Sequence, residues 1–311
     1  MVNMKKIGFL FPGQGSQYIG MGKELYENFS EVKNIFNIAD ESLGFSLKEL
    51  CFNGKEEELK QTQNAQPAIL TVSIAVYELF KKNGILPVVL AGHSLGEYSA
   101  LICAGALKFS DGVRLVRKRG EFMNEVSKGS MAAILGLSGE EIVNICNEAG
   151  KTGLVEPANY NCPGQMVISG ENKAVIFAGE LAKAKGAKVI MLNVSGPFHS
   201  SLMKSAKEKL SAELDKVEFN SSASSVIANA TGDYYGNSAD SIKQLLIQQI
   251  VSPVQWEASI NRMLSNGIEI FVEVGPGKVL SGLLRRISKT AQNFAVSDMK
   301  TLETVLKADY R

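Results

Sequence analysis

One short run in this 311-residue chain has the residue types and spacing for nucleophilic chemistry, Gly92-His93-Ser94-Leu95-Gly96. An apolar segment that reads as a buried strand over 87–91 leads into it, and a helical pattern over 98–106 follows. In that setting the two glycines permit a sharp, strained turn that lifts the serine hydroxyl clear of the backbone. The start of the next helix adds backbone N–H groups and a positive dipole end beside a reacting carbonyl. The same five residues in an ordinary loop would be a plain turn; the flanking strand and helix make Ser94 the candidate nucleophile. A serine hydroxyl needs a base, and the chain has only two histidines, His93 and His199. His93 adjoins Ser94, and its side chain would have to fold back across the turn to serve. If Ser94 is a histidine-assisted nucleophile, His199 is the base by elimination. No single Asp stands out to orient the second imidazole nitrogen, a job that a backbone carbonyl can do.

The elements that would position these residues alternate between strand and helix. A strand over 6–11 breaks at Pro12-Gly13, helices follow over 22–39 and 66–83, and Pro87 opens the next strand, where proline is tolerated. Apolar strands alternating with helices predict an α/β fold, like that of the α/β-hydrolases, around a largely parallel sheet. The rhythm changes near Ser130. Strand 131–137, helix 139–149, strands 155–159 and 165–169, helix 173–185 and strand 188–193 follow one another. This β-α-β-β-α-β order is the ferredoxin-like pattern. It predicts a small inserted domain over 129–197 inside a discontinuous large domain, 1–128 with 198–311. Beyond it come helix 201–217, strand 226–229, helix 241–250 and strand 268–274.

Composition narrows the function classes. Apolar residues make up 45% and charged residues 21%, ordinary for a globular protein. Lys and Arg total 33 against 32 Asp and Glu, which gives no reason to expect nucleic-acid or membrane-surface binding. The N-terminus, Met1 to Lys6 before an apolar run over 7–11, superficially resembles a signal peptide. The run stops at Pro12-Gly13, too short for a signal core or a membrane span, so a cytoplasmic protein is expected. Cys51, Cys103, Cys146 and Cys162 lie far apart with no CxxC pair. They read as buried free thiols rather than a zinc site or redox pair.

Several motifs in order resemble those of the malonyl-CoA:acyl-carrier-protein transacylases of type II fatty-acid synthesis, relatives of polyketide synthase acyltransferase domains. They are Phe11 to Gln17, Gly92 to Glu97, Arg119-Gly120-Glu121-Phe122-Met123 and Asn159-Tyr160-Asn161. Pro197-Phe198-His199-Ser200, Ser252-Pro253-Val254-Gln255-Trp256 and Glu273-Val274-Gly275-Pro276-Gly277 complete the set. The resemblance spans essentially the whole chain. It implies Ser94 as nucleophile, His199 as base, and an oxyanion hole from the backbone N–H groups of Gln14 and Leu95. It places the histidine-orienting main-chain carbonyl on Gln249, which accounts for the missing third acid. Phe198 matches the phenylalanine common before the histidine in malonyl-specific relatives, and Gln66, Met123 and Asn161 fall on substrate-side positions, with ordinary loop or cap roles the alternative for Gln66 and Asn161.

The resemblance also makes Arg119 the substrate arginine. A malonyl group differs from acetyl by one carboxylate, and a guanidinium can grip that carboxylate through two parallel hydrogen bonds. Locally, Arg114, Arg117, Lys118 and Arg119 would otherwise read as a basic, solvated helix face. Arg285, Arg286 and Lys289 read as another such face, with carrier docking the less favoured alternative. Glu97, at a helix start where a carboxylate is favoured anyway, is given no catalytic role.

The implied partners are a coenzyme A thioester and acyl carrier protein, with no metal or redox cofactor and a monomeric enzyme. The implied reaction is a ping-pong transfer through an ester on Ser94. Two other classes share features with it. A serine hydrolase also carries the Gly-x-Ser-x-Gly turn, but usually places an acid and then the histidine late in the chain. A non-catalytic carrier-binding module would be plausible had Ser94, His199 or Arg119 been lost; all three are present.

Overall fold

The computed structural model describes residues 5–221 and 225–308. The first four residues of the signal-like N-terminus lie outside the described residues.

Two sheets organise the chain. The larger contains β1 (Ile7–Phe11), β2 (Val89–Gly92), β7 (Val226–Ala228), β8 (Asp233–Tyr234), β9 (Ile270–Val274) and β10 (Gln292–Val296), in the order β10-β9-β1-β2-β7-β8. Every pairing in it is parallel except β7 with β8. Successive residues of these strands enter different cores: Phe9 and Phe11 pack in one cluster while Leu10 packs in another, and Val272 and Phe271 divide likewise. A sheet covered on both faces needs strands that are apolar throughout, which is why 7–11 reads as a continuous apolar run.

The second sheet is antiparallel, β4-β5-β3-β6, from β3 (Ser130–Leu135), β4 (Val155–Cys162), β5 (Gln165–Gly170) and β6 (Lys188–Met191). The helices Gly139–Ala149 and Asn172–Ala184 complete the β-α-β-β-α-β succession. Both cover one face: Ala132, Ile134 and Ile168 from the strands pack with Ile142, Ile145, Val175 and Ala178 from the helices. Met131, Ala133 and Val167 point the other way and join the main core. A backbone bridge ties β4 of this sheet to the segment just before the helix Trp256–Ser265, with Tyr160 N–H donating to the Val254 carbonyl and Val254 N–H to the Ala158 carbonyl, both at 2.9 Å.

The helix expected over 22–39 is two helices, Lys23–Asn28 and Ser30–Leu43, separated by Phe29 in an extended conformation. The break lets the two pieces fold against each other, with the Tyr26 and Phe36 rings edge to face at 5.7 Å. The helix expected over 66–83 runs from Thr62 to Lys82 with Pro67 inside it. Proline has no N–H for the carbonyl four residues back, here that of Gln63. The Arg117 guanidinium donates to that carbonyl at 3.1 Å instead, so the interruption is satisfied by the neighbouring helix, Phe109–Glu125. The two helices approach closely at Gly120, where an added Cβ would lie 2.6 Å from the Gln63 Cα. That approach carries Gln66 to Arg119. The 109–125 helix buries Val113, Val116, Arg119 and Met123 on one side, while Arg114 and Lys118 face outward. The basic run therefore splits, and Arg119 belongs to the buried face.

Candidate active site

The turn between β2 and the helix Gly96–Cys103 is as tight as the sequence requires. A Cβ on Gly92 would lie 1.9 Å from the Gly96 carbonyl carbon, and one on Gly96 would lie 2.0 Å from the Phe11 carbonyl oxygen. Neither position has room for a side chain. Ser94 sits at φ 51, a left-handed conformation that L-residues adopt at a cost. Three side-chain bonds hold it there. Ser94 N–H donates to Asn229 Oδ1 at 2.6 Å, Asn229 Nδ2 donates to the Gly92 carbonyl at 2.7 Å, and Gln249 Nε2 donates to the Ser94 carbonyl at 2.9 Å.

Ser94 Oγ lies 2.7 Å from His199 Nε2, and His199 Nδ1 lies 2.9 Å from the Gln249 backbone oxygen. A carbonyl oxygen only accepts, so Nδ1 carries the proton and Nε2 presents a lone pair to the serine hydroxyl. Burial, followed by the positive charge of Arg119, pulls the His199 pKa down to about 3. The imidazole is therefore neutral at physiological pH and ready to accept a proton. His93 points elsewhere: its Nε2 lies 3.0 Å from Asn161 Oδ1, and its ring packs on Trp256 at 5.5 Å.

Arg119 is 1% exposed. Its Nη1 donates to Gln66 Oε1 at 2.7 Å, and its Nη2 donates to Ser94 Oγ at 3.1 Å and Gln249 Oε1 at 3.0 Å. The guanidinium carbon lies 5.5 Å from the Tyr98 ring centroid. Each of these partners is neutral. Gln66, also buried, donates through Nε2 to Met123 Sδ at 3.5 Å.

These residues open onto a cleft of about 620 Å³ between the two sheets. Gln14, Leu95, Met123, Asn161 and Phe198 all line it. Gly13 brings the Gln14 segment against the turn, since a Cβ there would lie 2.5 Å from the His93 carbonyl oxygen. Ser94, His199, Arg119, Gln249, Gln66, Met123, Asn161, Phe198, Gln14 and Leu95 are thus gathered in one place. Arg286 does not join them; it donates to Gln165 Oε1 at 2.8 Å and Pro163 O at 3.5 Å. A serine with a neutral imidazole at hydrogen-bond distance can attack an acyl carbon, and a buried guanidinium with only neutral partners can receive an anion.

Sequence reasoning passed over three contributors. Asn229 lies in the turn just after β7 and Tyr235 in the loop after β8, and neither has a local pattern. Glu97 sits at a helix start, where a carboxylate is ordinary, yet it is fully buried. It accepts from the Tyr235 hydroxyl, from Gln249 Nε2 at 2.8 Å and from Asn229 N–H at 3.0 Å.

Residues 8–307 match the family described as acyl transferase domain, and the chain belongs to that family. Among its relatives is the malonyl CoA-acyl carrier protein transacylase of Bacillus subtilis (strain 168). That protein is 54% identical over 309 residues, covering 98% of this chain and 97% of the relative. The crystal structure of the malonyl CoA-acyl carrier protein transacylase of Clostridium perfringens superposes with a TM-score of 0.93 at 44% identity, covering 97% and 96% of the two chains. A malonyl-transacylase in complex with its type II PKS acyl-carrier protein superposes with a TM-score of 0.94 at 40% identity, covering 98% and 100%. Among the described residues, no helix is long and apolar enough to cross a membrane.

Proposed function

We propose that this chain is a malonyl-CoA:acyl-carrier-protein transacylase that carries the malonyl group as an ester on Ser94, for fatty-acid synthesis. The observation that carries the reading is a buried Arg119, bonded only to neutral groups, in hydrogen-bond contact with the hydroxyl that His199 is placed to deprotonate. A carboxylate is the partner such a guanidinium lacks, and malonyl brings one next to its thioester.

His199 Nε2 takes the Ser94 proton as Oγ attacks the thioester carbon, and the Gln249 carbonyl steadies the imidazolium that forms. The backbone N–H groups of Gln14 and Leu95 take the developing oxyanion. The C–S bond breaks and the proton passes from His199 to the coenzyme A sulfur. The phosphopantetheine thiol of acyl carrier protein then enters, gives its proton to His199 and receives the malonyl group. Gln66 aims Arg119, Met123 and Phe198 form apolar walls, and Asn161 fixes His93 beside the turn. Thioester exchange is redox-neutral and its charges are met by these residues, so the mechanism calls on no metal or redox cofactor.

The fold reading that accompanies this is a large α/β-hydrolase-like domain, 1–128 with 198–311, and a ferredoxin-like domain, 129–197. It is supported by the parallel sheet, and by the antiparallel sheet with both helices on one face. Burying the ester between the two sheets keeps water from it. A monomeric, cytoplasmic enzyme completes the proposal.

The test is coenzyme A release from malonyl-CoA with and without phosphopantetheinylated carrier. Release is expected to stop after one equivalent per enzyme without carrier and to continue, with malonyl-carrier formed in step, when carrier is present. Continuous release without carrier would make the protein a hydrolase.

A further inference from the structure

Of the Lys, Arg, Asp and Glu side chains, three are buried among the described residues: Arg119, Glu97 and Glu273. Glu273 is accounted for separately, since it accepts from Leu280 N–H at 3.0 Å and Ser281 N–H at 2.8 Å at the start of the helix Val279–Ile287. That leaves one buried cation and one buried anion, and a single amide group joins them. Gln249 Oε1 accepts from Arg119 Nη2 at 3.0 Å while Gln249 Nε2 donates to Glu97 Oε2 at 2.8 Å. The carboxylate fixes the direction of this amide. As an acceptor it turns the Gln249 NH2 toward itself, which leaves Oε1 facing the guanidinium.

We propose that Glu97 is the counter-charge of Arg119 in the empty site, coupled through the Gln249 amide, and that a malonyl carboxylate seated on Arg119 releases Glu97 to take up a proton. This rests on Arg119 as the malonyl site. With the site empty, the pair is neutral overall. A malonyl carboxylate gives the guanidinium a direct partner, and Glu97 becomes a second buried anion facing one cation. A net buried negative charge is costly, and a proton on Glu97 removes it.

The surroundings of Glu97 suit a group poised between its two states. Tyr98 from its own helix, Tyr235 from the loop after β8, Arg119 from the 109–125 helix and His199 beyond Gln249 are the titratable groups around it. Burial pushes its pKa up to about 7, against the opposing pull of Tyr235, Gln249, Asn229 and Arg119. Protonation also leaves the turn undisturbed. Oε2 keeps both of its donors, Gln249 Nε2 and Asn229 N–H, while a proton on Oε1 is donated to the Tyr235 oxygen, which accepts where it formerly donated. Acylation itself exchanges no proton with solvent near neutral pH: Ser94 loses one, His199 relays it, and the coenzyme A sulfur gains it. Any uptake from solvent therefore belongs to a linked group.

The experiment follows an indicator dye in weakly buffered solution as the acyl-enzyme forms, with acyl-enzyme counted by intact mass. With malonyl-CoA, uptake on the order of half a proton per acyl-enzyme is expected near pH 7, falling toward zero by about pH 5, where Glu97 is already protonated. Acetyl-CoA should give none, because it leaves Arg119 paired through Gln249 as before. Glu97→Gln should be malonylated without uptake. A malonyl adduct that forms with no proton taken up near pH 7, or with equal uptake in Glu97→Gln, overturns the proposal. Should Glu97→Gln fail to accumulate as folded protein, the malonyl-against-acetyl comparison in the unmodified protein decides, and equal uptake with both substrates overturns it. No malonyl adduct at all would instead defeat the transacylase reading.

Discussion

His199→Ala is expected to slow malonyl transfer by about 100- to 10,000-fold, the usual contribution of one general base. The slowing should appear in both acylation by malonyl-CoA and deacylation to the carrier thiol. The reason is geometric: one imidazole touches Ser94 Oγ at 2.7 Å, and the other histidine is held by Asn161. The same nitrogen must accept the serine proton in the first half-reaction and the thiol proton in the second. Single-turnover rates measured separately for the two halves check this, and slowing of only one would refute a shared base. His93→Ala should cost much less.

The pH dependence follows from the same surroundings. Because burial and Arg119 hold the His199 pKa near 3, the free enzyme keeps its imidazole neutral as pH falls through the range where an exposed histidine would charge. The pH profile of kcat/KM should therefore lack a histidine limb near 6.5. A malonyl carboxylate on Arg119 cancels part of the charge that depresses His199, so the base strengthens as the substrate binds.

Arg119→Ala should depress the specificity constant for malonyl-CoA steeply while leaving that for acetyl-CoA unchanged or raised. In the unmodified enzyme acetyl gives the buried guanidinium no direct anionic partner, only the Glu97 charge relayed through Gln249. A direct buried ion pair that one substrate makes and the other cannot is worth up to about 3–5 kcal/mol, roughly 100- to several-thousand-fold in the rate ratio. Arg119→Lys should recover only part of the loss, since an ammonium keeps the charge without the two-point grip. The ratio of kcat/KM for malonyl- and acetyl-CoA in the three proteins is the measurement. Equal loss for both substrates in Arg119→Ala would make Arg119 structural.

How much of this was legible depended on how local the cause was. The turn at Ser94 is encoded within five residues, because its two glycines answer to backbone a few residues away or on the adjacent strand. The β-α-β-β-α-β succession was legible for the same reason, each strand and helix carrying its own period. His199 was found by scarcity rather than pattern. Arg119 shows the limit of local reading. Its basic neighbours Arg114 and Lys118 suggest a solvated face, and only the close approach of two helices at Gly120 reveals a buried one. The helix start at Thr62 was missed because Pro67 reads as a boundary, and the donor that makes an internal proline tolerable is Arg117, far along the chain. Glu97, Asn229 and Tyr235 were illegible as a group, since the hydrogen bonds that join them connect residues more than a hundred positions apart.

A malonyl ester on Ser94 is visible in the intact-protein mass after the enzyme is mixed with malonyl-CoA. One added malonyl group is expected, mapping to Ser94 and absent from Ser94→Ala, that is lost to phosphopantetheinylated carrier and appears there. A full-strength adduct on Ser94→Ala, mapping to another residue, would contradict it.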